Sequence, residues 1–342
     1  MTDFRNRSGC TSCTESSEAG TNSDCTEGAT DRRTQHDMPF ASHDVPSRRV
    51  FAQSTPARDT VVAKHLGERV VASLIDEVTL TPKPGLVDIR GKGAHTDLGW
   101  ALMCTSAVAL QPAFVAMARA GLSVLDDQAL RESIGAIGRE AEAVMFEATE
   151  GVNTHRGAIW AMGLLVTAAA QDLDHLSAGH VAARAGALAR LQDSHAPAAT
   201  GNKGEQACRE YQVGGARGQA QAAFPHITGI ALPELRRSRD AGETETAARL
   251  NALLAIMASL DDTCVLARGG IDALRELQDG ARQTLELGGA GSLEGRRALK
   301  SLDRRLLELN VSPGGAADLL AATLFLDGLD TLHAEHAFSE KH

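Results

Sequence analysis

A chain of 342 residues is long enough to bury a sizeable core, in one large domain or in two small ones. The formal net charge of −10 argues against non-specific binding to nucleic acid, although it permits a local basic pocket. Aromatic residues make up only 3% of the chain, whereas alanine and leucine are abundant. This mixture favours closely packed helices over a strand-rich fold.

The first 57 residues are rich in Ser, Thr, Asp, Arg and Gly and contain almost no clustered apolar residues. They cannot offset the entropy of ordering, so we predict a disordered tail over residues 1–57. Cys10 and Cys13 form a CxxC pair, which suits a metal or redox role, but no second pair lies nearby and a passive tail is favoured. The N-terminus lacks the apolar region of a signal peptide, which predicts a cytoplasmic protein.

Residues 58–342 are predicted to form an all-α catalytic domain, a single large multi-helix bundle. In its first helix Val62, Leu66 and Val70 recur at helical spacing, and alternating strand-like patterns are almost absent from the chain. The further predicted helices cover residues 100–120, 127–150, 158–172, 177–194, 247–260, 271–280, 293–309 and 316–335. The stretch 100–122 is the longest apolar one. Because it contains Pro112 and Arg119, a buried core helix explains it better than a membrane span.

The first polar loop spans residues 79–97. Two prolines bracket Lys83 and fix its backbone in an extended form, and a lysine on a stiff loop can present its charge to a phosphate. The glycines of this loop permit close backbone approach to a ligand, and Asp88 and Asp97 could bind Mg²⁺ or a sugar hydroxyl. A Pro/Gly turn with solvated charges is an equal alternative.

The second loop, residues 151–157, runs directly into the helix predicted at 158–172. Asn153 or Thr154 can cap that helix, whose N-terminus is a ready anion site. His155 and Arg156 add donors where the free N–H groups point. Phosphate binding is therefore favoured over a capped helix with a surface His-Arg pair.

Three later loops carry weaker signals. The glycine-rich run 214–218 contains Arg217 and could cradle a phosphate or a pantetheine arm, or be a flexible linker. Asp262 follows Asp261 at a helix end, which suits Mg²⁺ binding or acid/base work as well as a solvated terminus. Ser312 can cap the last helix, and Asp318 in its first turn suits a metal or ribose role or simply the helix dipole. We expect all five loops to converge at one end of the bundle.

Several blocks of the sequence together resemble the triphosphoribosyl-dephospho-CoA synthase family, over about residues 60–335 and in the same order. The blocks are Pro82-Lys83-Pro84-Gly85-Leu86-Val87-Asp88, Gly93-Ala94-His95-Thr96-Asp97, Asn153-Thr154-His155-Arg156-Gly157, Gly215-Ala216-Arg217-Gly218, Phe224-Pro225, Asp262-Thr263, Arg268-Gly269-Gly270 and Ser312-Pro313-Gly314-Gly315-Ala316-Ala317-Asp318. The chain departs from the family pattern at Gln219, where an acidic residue is usual, and at Cys264 and Ala267, where an Asn-like residue and a His are usual.

The resemblance implies an enzyme that takes ATP and 3′-dephospho-CoA, releases adenine and joins the triphosphoribosyl group to the CoA ribose. Its product is the precursor of the prosthetic group of malonate decarboxylase or citrate lyase acyl carrier protein, and a further transferase would attach it. The malonate decarboxylase branch is favoured because no fused transferase domain is present. Neither a nucleic acid nor a membrane is expected as a partner.

This chemistry requires fixed phosphates, Mg²⁺ and proton transfer at the sugar and the departing base. We hypothesise that the nucleotide is bound by Lys83, His95, Asn153, His155, Arg156, Arg217, Arg268 and Ser312. The candidate catalytic residues are Asp88, Asp97, Asp262 and Asp318, and the candidate metal ligands are Asp88, Asp262 and Asp318. Two other functions stay open: an all-α, magnesium-dependent hydrolase of N-ribosyl bonds, and a non-catalytic nucleotide- or CoA-binding regulator.

Overall fold

A computed structural model describes residues 56–197 and 199–339, which form an assembly of α-helices. The predicted tail and its Cys10–Cys13 pair therefore lie outside the described residues, apart from the last two tail residues, which begin the first helix. Within the described residues there is no strand, only one isolated bridge between Asp88 and Gly91, and the all-α prediction is confirmed.

Most helices follow one another through short connections, whereas longer loops join α1 to α2 and α6 to α7. In chain order they are α1 (Pro56–Thr79), α2 (Trp100–Ala109), α3 (Gln111–Ser123), α4 (Asp127–Ala148), α5 (Arg156–Gln171), α6 (Ala178–Arg190), α7 (Lys203–Tyr211), α8 (Gly215–Gln221), α9 (Leu232–Asp240), α10 (Glu245–Met257), α11 (Thr263–Glu286), α12 (Leu293–Glu308) and α13 (Gly314–Ser339). A π-helical turn (Ile227–Ala231) precedes α9, and a 3₁₀ turn (Gly289–Gly291) precedes α12.

The core is built around α5, in which nearly every residue from 158 to 170 is buried. It packs against α3, α6 and α13, and α1 packs against α3 and α13. Small residues allow these close approaches: a Cβ on Gly121 of α3 would lie 2.4 Å from the Thr167 carbonyl oxygen of α5. The abundance of alanine and glycine thus reflects tight packing between helices.

The apolar stretch at 100–122 is two helices rather than the single one predicted. The chain breaks at Leu110, and Pro112 lies in the first turn of α3, where a proline needs no N–H partner. Residues 100–123 are long and apolar enough to cross a membrane by length and composition, with a mean hydropathy of 1.6 and 33% of the window buried. One such stretch is weak evidence for a membrane span.

The segment 203–233, whose glycine-rich run 214–218 suits a cradle or a linker by its sequence, contains α7, α8 and the first two residues of α9. These helices are only seven to nine residues long, too short for a periodic pattern to be recognised with certainty in the sequence. Their positions matter because two of them begin at the cavity described next.

Candidate functional site

The polar loops meet at one cavity of about 960 Å³. Its wall contains the first residues of α5, α7, α8, α11 and α13, together with parts of the loop between α1 and α2. The predicted convergence of the five loops is therefore present in the structure. Since each helix start carries a partial positive charge, the cavity suits an anionic ligand.

Lys83 lies in the cavity wall but is engaged by the protein itself. Its side chain is 1% exposed, and its Nζ makes a short ion pair with Glu77 Oε1 at the end of α1. Burial raises the pKa of Glu77, while the charge of Lys83 and its hydrogen bond act in the opposite direction. The predicted phosphate ligand is thus one half of a buried ion pair, and its partner Glu77 also lines the cavity.

Asp88 is not among the residues that line the cavity. Its carboxylate accepts hydrogen bonds from Thr81 Oγ1 and Lys83 N at 3.0 Å each, and from Arg90 N and Nε at 2.8 Å each. Burial acts to raise the pKa of Asp88, but these hydrogen bonds together hold it below its ordinary value. The residue shapes the loop, and the structure does not place it for the predicted catalytic or metal-binding roles.

His95, Asp97 and Arg268 form a polar group at the cavity wall. Arg268 donates from Nη1 to the Ala94 carbonyl oxygen at 2.9 Å and from Nη2 to His95 Nδ1 at 3.1 Å. Burial, and after it the charge of Arg268, lower the pKa of His95 to about 4. Asp97 Oδ1 lies 3.8 Å from His95 Nδ1, and its side chain is 61% exposed. The imidazole is therefore neutral near pH 7 and can act as a hydrogen-bond donor through Nε2.

The start of α5 places three predicted ligands at the cavity. Asn153 Oδ1 accepts from Arg156 N at 3.2 Å, although the N-cap residue of α5 is His155 rather than the predicted Asn153 or Thr154, and Arg156 Nε donates to Glu142 Oε2 at 2.8 Å. His155 is 3% exposed and its Nδ1 lies 2.9 Å from Ser106 Oγ. Burial, followed by the charge of Lys83, lowers the pKa of His155 to about 4. The His155 ring is therefore neutral near pH 7 and could contact a phosphate through a hydrogen bond but not as a cation.

Asp262 caps two helices at once. Its Oδ1 accepts from Cys264 N at 2.8 Å and Val265 N at 3.3 Å at the start of α11, and its Oδ2 accepts from Ala316 N at 2.9 Å in α13. Burial raises its pKa, and these backbone N–H groups act in the opposite direction. A carboxylate used in this way has little capacity left for a metal ion.

Ser312 does not cap α13, contrary to the prediction, because Asp262 holds that position. Ser312 is 2% exposed, and its Oγ has no hydrogen-bond partner among the described residues although it belongs to the cavity wall. A buried hydroxyl without a partner costs about 1–3 kcal/mol, and a ligand that reached it would recover part of that cost.

Asp318 is a partly buried carboxylate in the cavity wall. Among the described residues it has no hydrogen-bond or ion-pair partner, and it faces the start of α5, where a Cβ on Gly157 would lie 2.0 Å from its Oδ2. Burial, and then the charges of Glu77 and Asp262, raise its pKa well above the ordinary value. Asp318 can therefore hold a proton that an ordinary aspartate would have lost, as a general acid must.

Two exposed cations complete the cavity wall, Arg217 of α8 and Lys203 of α7. Neither has a hydrogen bond or ion pair with the described residues. Both are free to contact an anionic ligand. Gln219, the departure from the family pattern, also lines the cavity, and its Oε1 accepts from His226 Nδ1 at 3.0 Å.

Glu77 is the cavity residue that sequence reasoning missed. It follows Val70 and Leu74 on the same face of α1, both of which are buried. A carboxylate that continues the apolar stripe of a helix must find a partner inside the protein, so this position was a signal available in the sequence. Glu142 and Ser106 were missed too, because their partners lie far away in the chain.

No group of three His, Cys, Asp or Glu side chains among the described residues is placed to hold a metal ion. Of the three predicted metal ligands, Asp88 lies outside the cavity wall and Asp262 is saturated by backbone N–H groups, so only Asp318 retains free oxygens there. The residues present do not fit a resident metal centre.

A family model described as ATP:dephospho-CoA triphosphoribosyl transferase matches residues 63–336. A protein of Azotobacter vinelandii named "Probable 2-(5''-triphosphoribosyl)-3'-dephosphocoenzyme-A synthase" is 56% identical over 272 residues, covering 79% of this chain and 93% of that protein. A protein of Klebsiella pneumoniae named "2-(5''-triphosphoribosyl)-3'-dephosphocoenzyme-A synthase" is 56% identical over 262 residues, covering 77% of this chain and 93% of its own. No solved structure matches the chain.

Proposed function

The chain belongs to the ATP:dephospho-CoA triphosphoribosyl transferase family and is an enzyme of that type, and from this premise we propose how its cavity carries out the reaction. The family activity transfers the triphosphoribosyl group of ATP to 3′-dephospho-CoA and releases adenine. The bond that breaks joins the adenine to the ribose, and the bond that forms joins that ribose to a hydroxyl of the acceptor.

The triphosphate is held by the exposed cations and the helix starts around them. Arg156, Arg217, Arg268 and Lys203 all belong to the cavity wall. The first turns of α5 and α7 add N–H groups that point towards an anion. Lys83 contributes through its ion pair with Glu77, which fixes the wall behind the phosphates.

The observation that carries the mechanism is the partly buried carboxyl group of Asp318, which has no hydrogen-bond or ion-pair partner among the described residues. When the N-glycosidic bond breaks, the ribose gains oxocarbenium character and the base gains negative charge. A protonated Asp318 donates its proton to a ring nitrogen of the departing adenine. Such general acid catalysis contributes on the order of 10²–10⁴-fold. The hydroxyl of the acceptor loses the proton that adenine gains, so the proton balance of the reaction closes.

Mg²⁺ is expected as a companion of the triphosphate rather than as a resident cofactor. A magnesium ion in a nucleotide site keeps several waters and needs only one or two protein carboxylates. The saturated oxygens of Asp88 and Asp262 support this assignment. We therefore derive no step from a preformed metal centre.

The product keeps its triphosphate intact, which leaves pyrophosphate available as the leaving group of a later step. We propose that a second transferase uses this to attach the group to an acyl carrier protein of malonate decarboxylase or citrate lyase. A cytoplasmic location would supply both ATP and dephospho-CoA.

The test is to incubate the protein with ATP, 3′-dephospho-CoA and Mg²⁺ and to follow the nucleotides by chromatography. Free adenine, formed only when dephospho-CoA is present and in equal amount to the coupled product, is the expected result. Adenine release without the acceptor would indicate an N-ribosyl hydrolase, and ATP binding without turnover would indicate a regulator. Release of ADP or AMP would overturn the assignment.

A further inference from the structure

Trp160 provides an aromatic surface in the cavity wall. Two Phe, Tyr or Trp side chains line the cavity among the described residues, Trp160 and Phe224, and Phe224 is fully buried. Trp160 is partly exposed. A ligand in the cavity can therefore contact the face of only one of these two rings.

The indole ring is held at its edge and behind one face. Its Nε1 donates to the Ala216 carbonyl oxygen at 3.3 Å, at the start of α8. The guanidinium carbon of Arg131 lies 5.2 Å from the ring centroid, within the range of a cation–π contact. These contacts fix the ring, so a ligand that stacks on it would lose little conformational entropy of the side chain.

Arg131 is itself fixed behind the ring. It is 5% exposed, its Nη1 lies 3.6 Å from Asp193 Oδ2, and its Nε has no hydrogen-bond partner in the part of the chain that the structure describes. A buried arginine that gives up a hydrogen bond is costly to keep. The cation–π contact with Trp160 offsets part of the free-energy cost of burying this arginine.

Cations of the cavity wall near the ring indicate what it binds. Arg156 precedes Trp160 by four residues on α5, so the two side chains occupy the same face of the helix, and both line the cavity. Arg217, which also lines the cavity, follows Ala216, whose carbonyl oxygen accepts from the indole Nε1. An aromatic surface with cations nearby suits a ligand that carries phosphates and a planar ring.

We propose that Trp160 is the stacking platform for the adenine ring of a nucleotide substrate. The proposal rests on the function proposed above. Both substrates carry an adenine and a polyphosphate, so both can supply the ring. The positive charge of Arg131 behind the indole favours the adenine of ATP, because that base gains negative charge as its bond to ribose breaks.

The sequence allows a direct binding experiment, since the chain contains two tryptophans, Trp100 and Trp160. Trp100 is not part of the cavity wall, and its Nε1 donates to Thr79 Oγ1 at 3.1 Å. In the variant Trp100→Phe, Trp160 becomes the single indole reporter. Its fluorescence is expected to be quenched by ATP and by free adenine, and to be unchanged by inorganic triphosphate.

The kinetics of two Trp160 variants provide a second, independent test of the proposal. Base–aromatic stacking changes affinity by about 5- to 150-fold per base. Trp160→Leu should therefore raise KM for ATP by about tenfold, whereas Trp160→Phe, which keeps a ring, should restore it to within about threefold. If KM for dephospho-CoA rises instead, the platform belongs to the acceptor adenine. Circular dichroism of both variants separates a folding defect from a binding defect.

An unquenched Trp160 signal at saturating ATP and dephospho-CoA, together with unchanged KM values in Trp160→Leu, would overturn the proposal. If Trp160→Leu does not fold, the fluorescence of Trp100→Phe decides alone. A wild-type protein that releases no adenine contradicts the proposed function. If adenine release is normal but neither the fluorescence of Trp160 nor the KM values of its variants change, only the stacking role is contradicted.

Discussion

Replacing Lys83 by methionine tests whether this lysine serves the fold or the phosphates. Its side chain is 1% exposed and that of Glu77 is 7% exposed, so the substitution leaves a buried carboxylate without its counter-ion. Removal of one partner of a buried ion pair costs about 3–5 kcal/mol. For a domain of this size that loss lowers Tm by roughly 6–20 °C.

The loss should depend on pH. Burial already raises the pKa of Glu77 above its value in the unfolded chain, and loss of Lys83 raises it further. The folded state then binds a proton that the unfolded state has released. The stability of Lys83→Met should therefore fall as pH rises from the unfolded pKa of Glu77 through its folded pKa. Denaturant unfolding at pH 5 and at pH 8 measures this difference.

The double variant Lys83→Met/Glu77→Gln is the matched control. Both charges are then absent, so most of the lost stability should return and its pH dependence should disappear. ATP affinity is measured for each variant by titration. A Lys83→Met protein with wild-type stability at both pH values and at least tenfold weaker ATP binding would refute the reasoning, since Lys83 would then be a phosphate ligand.

Three further substitutions separate the roles of other groups. Gly157→Ala brings a Cβ within 2.0 Å of Asp318 Oδ2, so adenine release should fall at least tenfold with the fold intact by circular dichroism; Gly179→Ala, with no atom within 4 Å, should stay active. Full activity of Gly157→Ala would contradict the placement of the carboxylate. Asp88→Asn should cost about 1–3 kcal/mol in urea unfolding at pH 7, because it weakens hydrogen bonds to a charged acceptor. Its lowered pKa implies that this contribution is lost as pH falls through the folded pKa, so a deficit that does not shrink at all as the pH is lowered below the ordinary pKa of an aspartate would speak against it. Arg217→Gln should leave Tm within about 2 °C and weaken ATP binding, less so at high salt because salt screens an exposed cation. Unchanged ATP affinity at low salt would remove Arg217 from the site.

The all-α fold and the convergence of the polar loops at one cavity could both be predicted from local sequence. Periodic apolar residues predict α1, α4 and α12, and polar residues such as Asn153 indicate where helices begin. The loops converge because each precedes a helix, and helices packed side by side bring their ends together. These inferences need only neighbouring residues.

What the sequence did not predict depends on contacts between distant segments. Asp262 and Asp318 were assigned the same roles, yet one accepts backbone N–H groups of two helices and the other has no partner. The ion pair of Lys83 follows from the burial of Glu77 by helices far along the chain. The break between α2 and α3 and the short polar helix α7 give no clear periodic signal.

The free carboxyl group of Asp318 is also a cost to the fold. Its raised pKa means that ionisation of the folded protein is unfavourable, so stability declines as pH rises from the unfolded value through the folded pKa. Enzymes commonly retain such destabilising groups where activity needs them. A neutral residue of the same shape should therefore stabilise the protein near neutral pH while removing the proton donor.

The most direct measurement of the central claim uses Asp318→Asn. ATP affinity, measured by titration, should stay within about threefold of wild type, because the phosphates are held by other residues. Adenine release in the presence of dephospho-CoA should fall by about 100-fold or more. Wild-type turnover in this variant, or loss of ATP binding in step with turnover, would contradict the role of Asp318 as the proton donor to the departing base.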